Sequence, residues 1–139
     1  MTLSLHAVSV PVFVRALTAL DALLTKGEES AAARGFDPAV LLSARLAPDM
    51  FPLTRQMQIA SDGAKGGAAR LAGRTAPSYP DTETSFAELH ERIAKTIAWL
   101  DGLDPAAFDG DPDAVLVQLG HRFGGRHGYL RRGVTGGRG

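Results

Sequence analysis

The sequence predicts an all-α bundle domain, and three stretches carry that expectation. Apolar residues between Val10 and Arg34 recur at spacings of four and three, a small-residue run from Pro52 to Leu71 follows a double-proline turn, and Ser85-Phe86-Ala87-Glu88 opens another amphipathic stretch. Such spacing places one face of a helix in a core.

In the first helix Phe13, Leu17, Leu20, Leu24, Gly27 and Ala31 share that face. Two starts are open. Ser9 can cap the helix with Pro11 in the first turn, where its missing N–H costs nothing. A start near Ser4 instead leaves Pro11 inside to kink it. Gly35 ends the helix, and an exposed Gly27 would weaken it by about 1 kcal/mol relative to Ala. Asp37-Pro38 is an N-cap followed by proline at the first helical position, so a short helix from Pro38 to about Ser43 should carry Val40 and Leu41 inward. Pro48 and Pro52 push Ala47 and Phe51 out of the α region and fix an irregular turn.

The helix after Pro52 should turn Leu53, Met57, Ala60, Ala64 and Ala68 inward, while Ser61, Gly63, Gly66, Gly67 and Ala69 keep it thin. Three glycines lower its intrinsic helicity by about 2–3 kcal/mol, which packing must offset. Thr75 to Thr84 is a proline-containing connector. Ser85 and Glu88 then form a capping box, and Phe86, Leu89, Ile93, Ile97 and Leu100 share the buried face, with Trp99 at its edge. Gly102 and Pro105 end that helix, and a turn-rich segment leads to Val115–Leu119, the one stretch that reads as a short β segment. Gly120 to Gly139 contains eight glycines, five arginines and no acidic residue. It reads as a flexible tail, so residues 1–119 form the helical domain and 120–139 lie outside it.

The length of 139 residues suits one domain. A net charge of zero and an apolar fraction of 45% argue against charge-driven disorder and a broad nucleic-acid footprint. The tail arginines suit only non-specific, salt-dependent contacts. With no cysteine, disulfides, thiolate metal sites and cysteine nucleophiles are excluded. The N-terminus lacks the features of a signal peptide, and Arg15 and Asp21 break its apolar run, so the expectation is a cytoplasmic protein without a membrane partner.

Residues from about Leu3 to Leu119 resemble a bacterial family of unknown function. The resemblance rests on Val10-Pro11-Val12-Phe13, Asp37-Pro38-Ala39-Val40-Leu41, Phe86-Ala87-Glu88-Leu89 and above all the thirteen residues from Ala44 to Gln56, ARLAPDMFPLTRQ. That family is similar to the DinB and YfiT type of up-down four-helix bundle. The resemblance implies such a fold and, for some members of the wider group, a divalent metal held by histidines and thiol-dependent transferase activity. It also implies a final long helix with aromatics and spaced histidines. That place is taken here by His121-Arg122-Phe123-Gly124-Gly125-Arg126-His127 and the Gly/Arg tail, as a frameshift or truncation in a GC-rich coding sequence would produce. Loss of one bundle helix would uncover on the order of 400 Å² of apolar surface, about 10 kcal/mol, against a domain stability of roughly 5–15 kcal/mol. A homodimer or an aggregation-prone monomer is therefore expected.

Candidate site residues fall in two groups. A bundle metal site draws on inward His or Glu side chains from facing helices, often paired at i, i+3 or i, i+4. No such histidine pair exists, which leaves His6 and His90 as the candidates for a divalent metal, since His121 and His127 sit in the tail. The second group is Arg45, Asp49, Arg55 and Gln56 around the proline turn. It reads either as a pocket for a small anionic ligand, from guanidinium forks and helix-start amides, or as a structural corner in which Asp49 caps the helix and pairs with one arginine. Asp81, Glu83, Glu88 and Glu91 read as helix-start charges and a solvated face. No catalytic triad or phosphate loop is present, so the leading expectation is a non-catalytic, self-associating bundle. A metal-dependent transferase and an anion-binding module are the alternatives.

Overall fold

The computed structural model describes residues 4–108, which belong to one compact unit spanning Met1–Asp109. Four helices follow one another: α1 (Leu5–Arg34), α2 (Ala39–Leu42), α3 (Leu53–Leu71) and α4 (Phe86–Asp101), with a 3-10 turn at Pro105–Phe108. The described residues contain no strand, and the three long helices pack pairwise against one another. The β segment expected near 115–119 and the Gly/Arg tail lie outside the described residues.

The earlier of the two possible starts for α1 is the one used. Ser4 is the N-cap, its hydroxyl accepting from the Ala7 amide, and Pro11 lies inside the helix. Ser9 does not cap. It is buried, and its hydroxyl donates to the Leu5 carbonyl at 2.5 Å. The longer helix is held by what it buries, since Val10 joins Leu17, Leu24 and Ala31 on the inner face. By length and composition α1 could cross a membrane, with a mean hydropathy of 1.7 over 18 residues. Arg15 and Asp21 lie within this helix. Its inner face packs on α3 and α4.

Gly35 and Gly73 end α1 and the α3 region with positive φ of 74° and 63°. In each case the amide after the glycine reaches back five residues, Phe36 to Ala31 at 3.1 Å and Arg74 to Ala69 at 2.8 Å. These are Schellman closures, which need a left-handed residue that only glycine adopts without penalty. At Gly67 the reason for glycine is space, because an added Cβ would lie 3.2 Å from the Phe13 ring.

Between α1 and α3 the chain makes two turns. Asp37 accepts from the Ala39 amide at 2.9 Å to start α2. The inward residues of that single turn are Leu41 and Leu42, whereas Val40, expected inside, is 60% exposed. A four-residue helix has too few positions for periodicity to fix its face. Pro48 then takes the second place of a turn closed by Met50 N–H to Ala47 at 3.0 Å, and the Leu53 amide donates to Ala44 at 3.0 Å. Phe51 and Pro52 therefore lead directly into α3.

α3 buries Met57, Ala64 and Ala68 as expected, but Leu53 and Ala60 are only partly covered. Gln58, Ser61 and Lys65 share the buried face instead. α4 begins with the predicted capping box: Ser85 Oγ accepts from Glu88 N–H at 3.2 Å, and Glu88 Oε2 accepts from the Ser85 amide at 3.1 Å. Hydrogen bonds from Thr84, its backbone amide first, hold the Glu88 carboxyl below the usual range. Phe86, Leu89, Ile93 and Leu100 are buried, with Ile97 and Trp99 at the margin. Replacing Leu42 with Ala is expected to cost about 2–5 kcal/mol of unfolding free energy in urea titration. Val40→Ala should stay within about 0.5 kcal/mol; equal losses would contradict the orientation of α2.

Candidate functional site

The polar centre of the domain forms where α3, α4 and the 75–84 connector meet. Arg92 follows Leu89 by three residues and precedes Thr96 by four, so helical geometry puts its stem on the core stripe of α4. Its side chain is 2% exposed. It donates four hydrogen bonds, Nε to Ser61 Oγ at 3.2 Å, Nη1 to the Pro80 carbonyl at 3.1 Å and Glu83 Oε1 at 2.8 Å, and Nη2 to Asp62 Oδ1 at 2.9 Å. Asp81 Oδ1, 3.1 Å from Nη2, adds an ion pair.

The acceptors are tied in turn. Gln58 donates to Glu83 Oε2 at 2.8 Å, and Ser61 shares a 3.0 Å hydrogen bond with Thr96. Lys65, itself buried, reaches Asp62 Oδ1 and the Pro77 carbonyl, both at 3.0 Å, and lies 3.7 Å from the centre of the Tyr79 ring. Arg55 pairs with Asp81 at 2.5 Å across a solvated edge. Three cations thus face three carboxylates. Among the described residues no buried side-chain nitrogen or oxygen lacks a partner, which the cost of desolvating an unpaired polar group demands.

Electrostatics follow from that closure. Burial alone pushes Glu83 up, but hydrogen bonds from Arg92 and Gln58 outweigh it and hold the carboxyl below 4.5. Burial works against the charge on Arg92 as well, yet Glu83 and Asp62 keep it more firmly protonated than usual. The Tyr79 hydroxyl is raised by burial, partly opposed by Arg92. Beside this network a groove of about 210 Å³ is lined by Tyr79, Thr82, Glu83, Glu91, Arg92 and Lys95. The network holds α3, α4 and the connector together and presents charge to this groove.

The predicted site residues do not assemble. No hydrogen bond or ion pair joins any two of Arg45, Asp49, Arg55 and Gln56. Arg45 donates to Pro48 at 3.4 Å, Gln56 to the Phe51 carbonyl at 2.8 Å, and Arg55 turns away to Gln58 and Asp81. The expected pairing of Asp49 with an arginine is absent among the described residues: Arg45 is taken by the Pro48 carbonyl beside Asp49, and Arg55 by Gln58 and Asp81. Asp81 is solvated as expected yet also pairs with Arg92, whereas Glu83 is largely covered and serves Arg92. Only Glu88 acts as a helix-start charge.

His6 packs edge-on against Phe108, with ring centres 5.0 Å apart. His90 lies between two carboxylates of α1, Nδ1 at 2.5 Å from Asp21 Oδ1 and Nε2 at 3.0 Å from Glu28 Oε1. The described residues contain no group of three or more His, Asp or Glu arranged to hold a metal ion. His121 and His127 lie outside the described residues. What sequence reasoning missed is the network around Arg92. Its trace was present in Arg92 and Lys65 at core positions of two helical stripes, with Asp62 three residues before Lys65.

Comparison with known proteins fits this architecture. A family described as a domain of unknown function, DUF1993, matches residues 5–127. The chain belongs to this family. A crystal structure of a DinB family member protein from Shewanella denitrificans is 42% identical and superposes with a TM-score of 0.72, over 78% of this chain and 66% of that one. The chain therefore spans just under two thirds of that protein's length. No curated protein matches it. The fold is all-α and DinB-like, as expected.

Removing Arg92 leaves a nearly buried Glu83 without its charge partner. Arg92→Met is expected to cost about 3–5 kcal/mol by urea unfolding, and Arg92→Lys to recover little of it, because an ammonium cannot reproduce a planar fork that reaches both α3 and the connector. Glu83 gives the acid limb. Since its carboxyl is held below 4.5, its stabilisation is present above that pH and fades as pH falls through the folded-state value. Thermal melts of Glu83→Gln should lose stability less steeply than wild type on acidification; parallel curves would exclude this role.

Proposed function

We propose that this DUF1993 protein is a non-catalytic helical bundle that works by self-association through the outer face of α1. The observation that carries this reading is the contrast between the composition of α1 and its burial. The most apolar 18-residue window of α1 is only 22% buried within the described residues. Val8, Val12 and Leu23 are all about half exposed or more. An apolar groove of about 720 Å³ runs along the same helix, lined by Val10, Pro11, Val14, Thr18 and Ala22 and ending near Asp101. Contiguous apolar surface on this scale marks association sites.

Two further points support the reading. The buried side chains around Arg92 are paired with one another, as a structural network requires. The glycine- and arginine-rich composition after Gly120 also fits the expected replacement of the final family helix, whose loss would leave a bundle face for a second copy to cover. Translating the other reading frames of the gene tests that origin, and absence of a histidine-bearing aromatic helix in all of them would reject it.

Sedimentation velocity over a concentration series should show a monomer–dimer equilibrium that Val12→Arg or Leu23→Arg shifts by at least tenfold toward monomer. A cooperatively melting monomer at all concentrations would overturn the proposal. Stoichiometric zinc or nickel in untagged protein, lost on His6→Ala or His90→Ala, would establish the metal-dependent transferase reading in its place.

A further inference from the structure

His90 occupies the seam between α1 and α4. Asp21 and Glu28 stand seven residues apart, two turns of α1, and so present their carboxylates along one face toward a single ring. Both ring nitrogens meet carboxylate oxygens, at 2.5 Å and 3.0 Å. A neutral imidazole has one N–H and one lone pair, so it can serve one of these carboxylates while its lone pair faces the other. Only the imidazolium satisfies both. The contact set is therefore that of a charged ring.

The surroundings offer no substitute for that proton. A cleft of about 430 Å³ adjoins the ring, bounded by Glu28, Asp37, Leu42, Ser85, Phe86 and His90. Asp37, from the segment before α2, already accepts from the Ala39 amide. The end of the connector contributes the uncharged Thr84 and Ser85, and on α4 itself Glu88 is turned back onto those two residues. No lysine or arginine lines the cleft.

We propose that His90 is a proton-operated latch, closing α1 onto α4 through Asp21 and Glu28 when charged and releasing Glu28 into the adjacent cleft when neutral. Glu28 is the carboxylate released because its contact is the longer of the two and it already borders the cleft. The open state brings Glu28 and Asp37 to the rim of one cavity without a neutralising cation. Burial by itself pulls the His90 ring down, but the hydrogen bonds and charges of Asp21 and Glu28 outweigh it and leave it above 6.5. The latch therefore contributes fully below the ordinary histidine value and is lost as pH rises through the folded-state value.

Full-length protein is followed by NMR and thermal melting from about pH 6 to about pH 9. The His90 ring resonance, assigned by its loss in His90→Gln, should titrate with a midpoint above 6.5, and the Glu28 carboxylate resonance should shift with the same midpoint. The melting temperature should fall by about 4 °C or more across that midpoint, and the fall should flatten in Asp21→Asn/Glu28→Gln, whose amides accept either form of the ring. A ring midpoint at or below 6.5, a Glu28 resonance that ignores it, or an undiminished fall in the double variant would each overturn the latch. Should the double variant not fold, the two wild-type resonances decide alone.

Discussion

A guanidinium taken out of water must be surrounded by acceptors, and the position of Arg92 on the inner stripe of α4 imposes that condition on α3 and the connector at once. Ser61 and Asp62 of α3 and Pro80, Asp81 and Glu83 of the connector converge on this one side chain. The small residues of α3 make this possible. Ser61, Ala64 and Ala68 let α4 come close enough for a hydroxyl pair, Ser61 with Thr96, to bridge the helices directly. Larger side chains would separate the helices and strand the charges.

The domain thus has two unlike halves. Along α3 and α4 the apolar core is joined by a directional network of paired polar side chains. Along α1 they are apolar, and much of the helix surface faces outward within the described residues. His90 is the polar exception on the α1 side, and it joins the helices through charges that sit at the margin of the core. An apolar helix anchored by marginal charges suits a surface that meets another molecule. The interior network suits a scaffold whose shape does not change when it does.

Most helix ends were readable in the sequence because their chemistry is local. Gly35 and Gly73 close helices within six residues, and the Ser85/Glu88 box is complete within four. The start of α1 was ambiguous, since Ser4 and Ser9 both satisfy local rules, and burial of Val10 settles it. The Arg92 network was not readable: its partners Ser61 and Asp62 lie 31 and 30 residues away, and only the crossing of α3 and α4 brings them together. The same distance in sequence misled the reading of Arg55, whose carboxylate is Asp81, 26 residues on, rather than Asp49 beside it.

The connector from Thr75 to Thr84 has no helical hydrogen bonds of its own, and its anchors, Pro77, Pro80, Asp81 and Glu83, bind side chains of both α3 and α4. A segment whose full set of contacts needs both helices in place is expected to be ordered late in folding. Substitutions there should act on the lifetime of the native state, speeding escape from it while leaving the rate of its formation nearly untouched. Persistence, more than the speed of assembly, is what ten irregular residues laid over a buried arginine control.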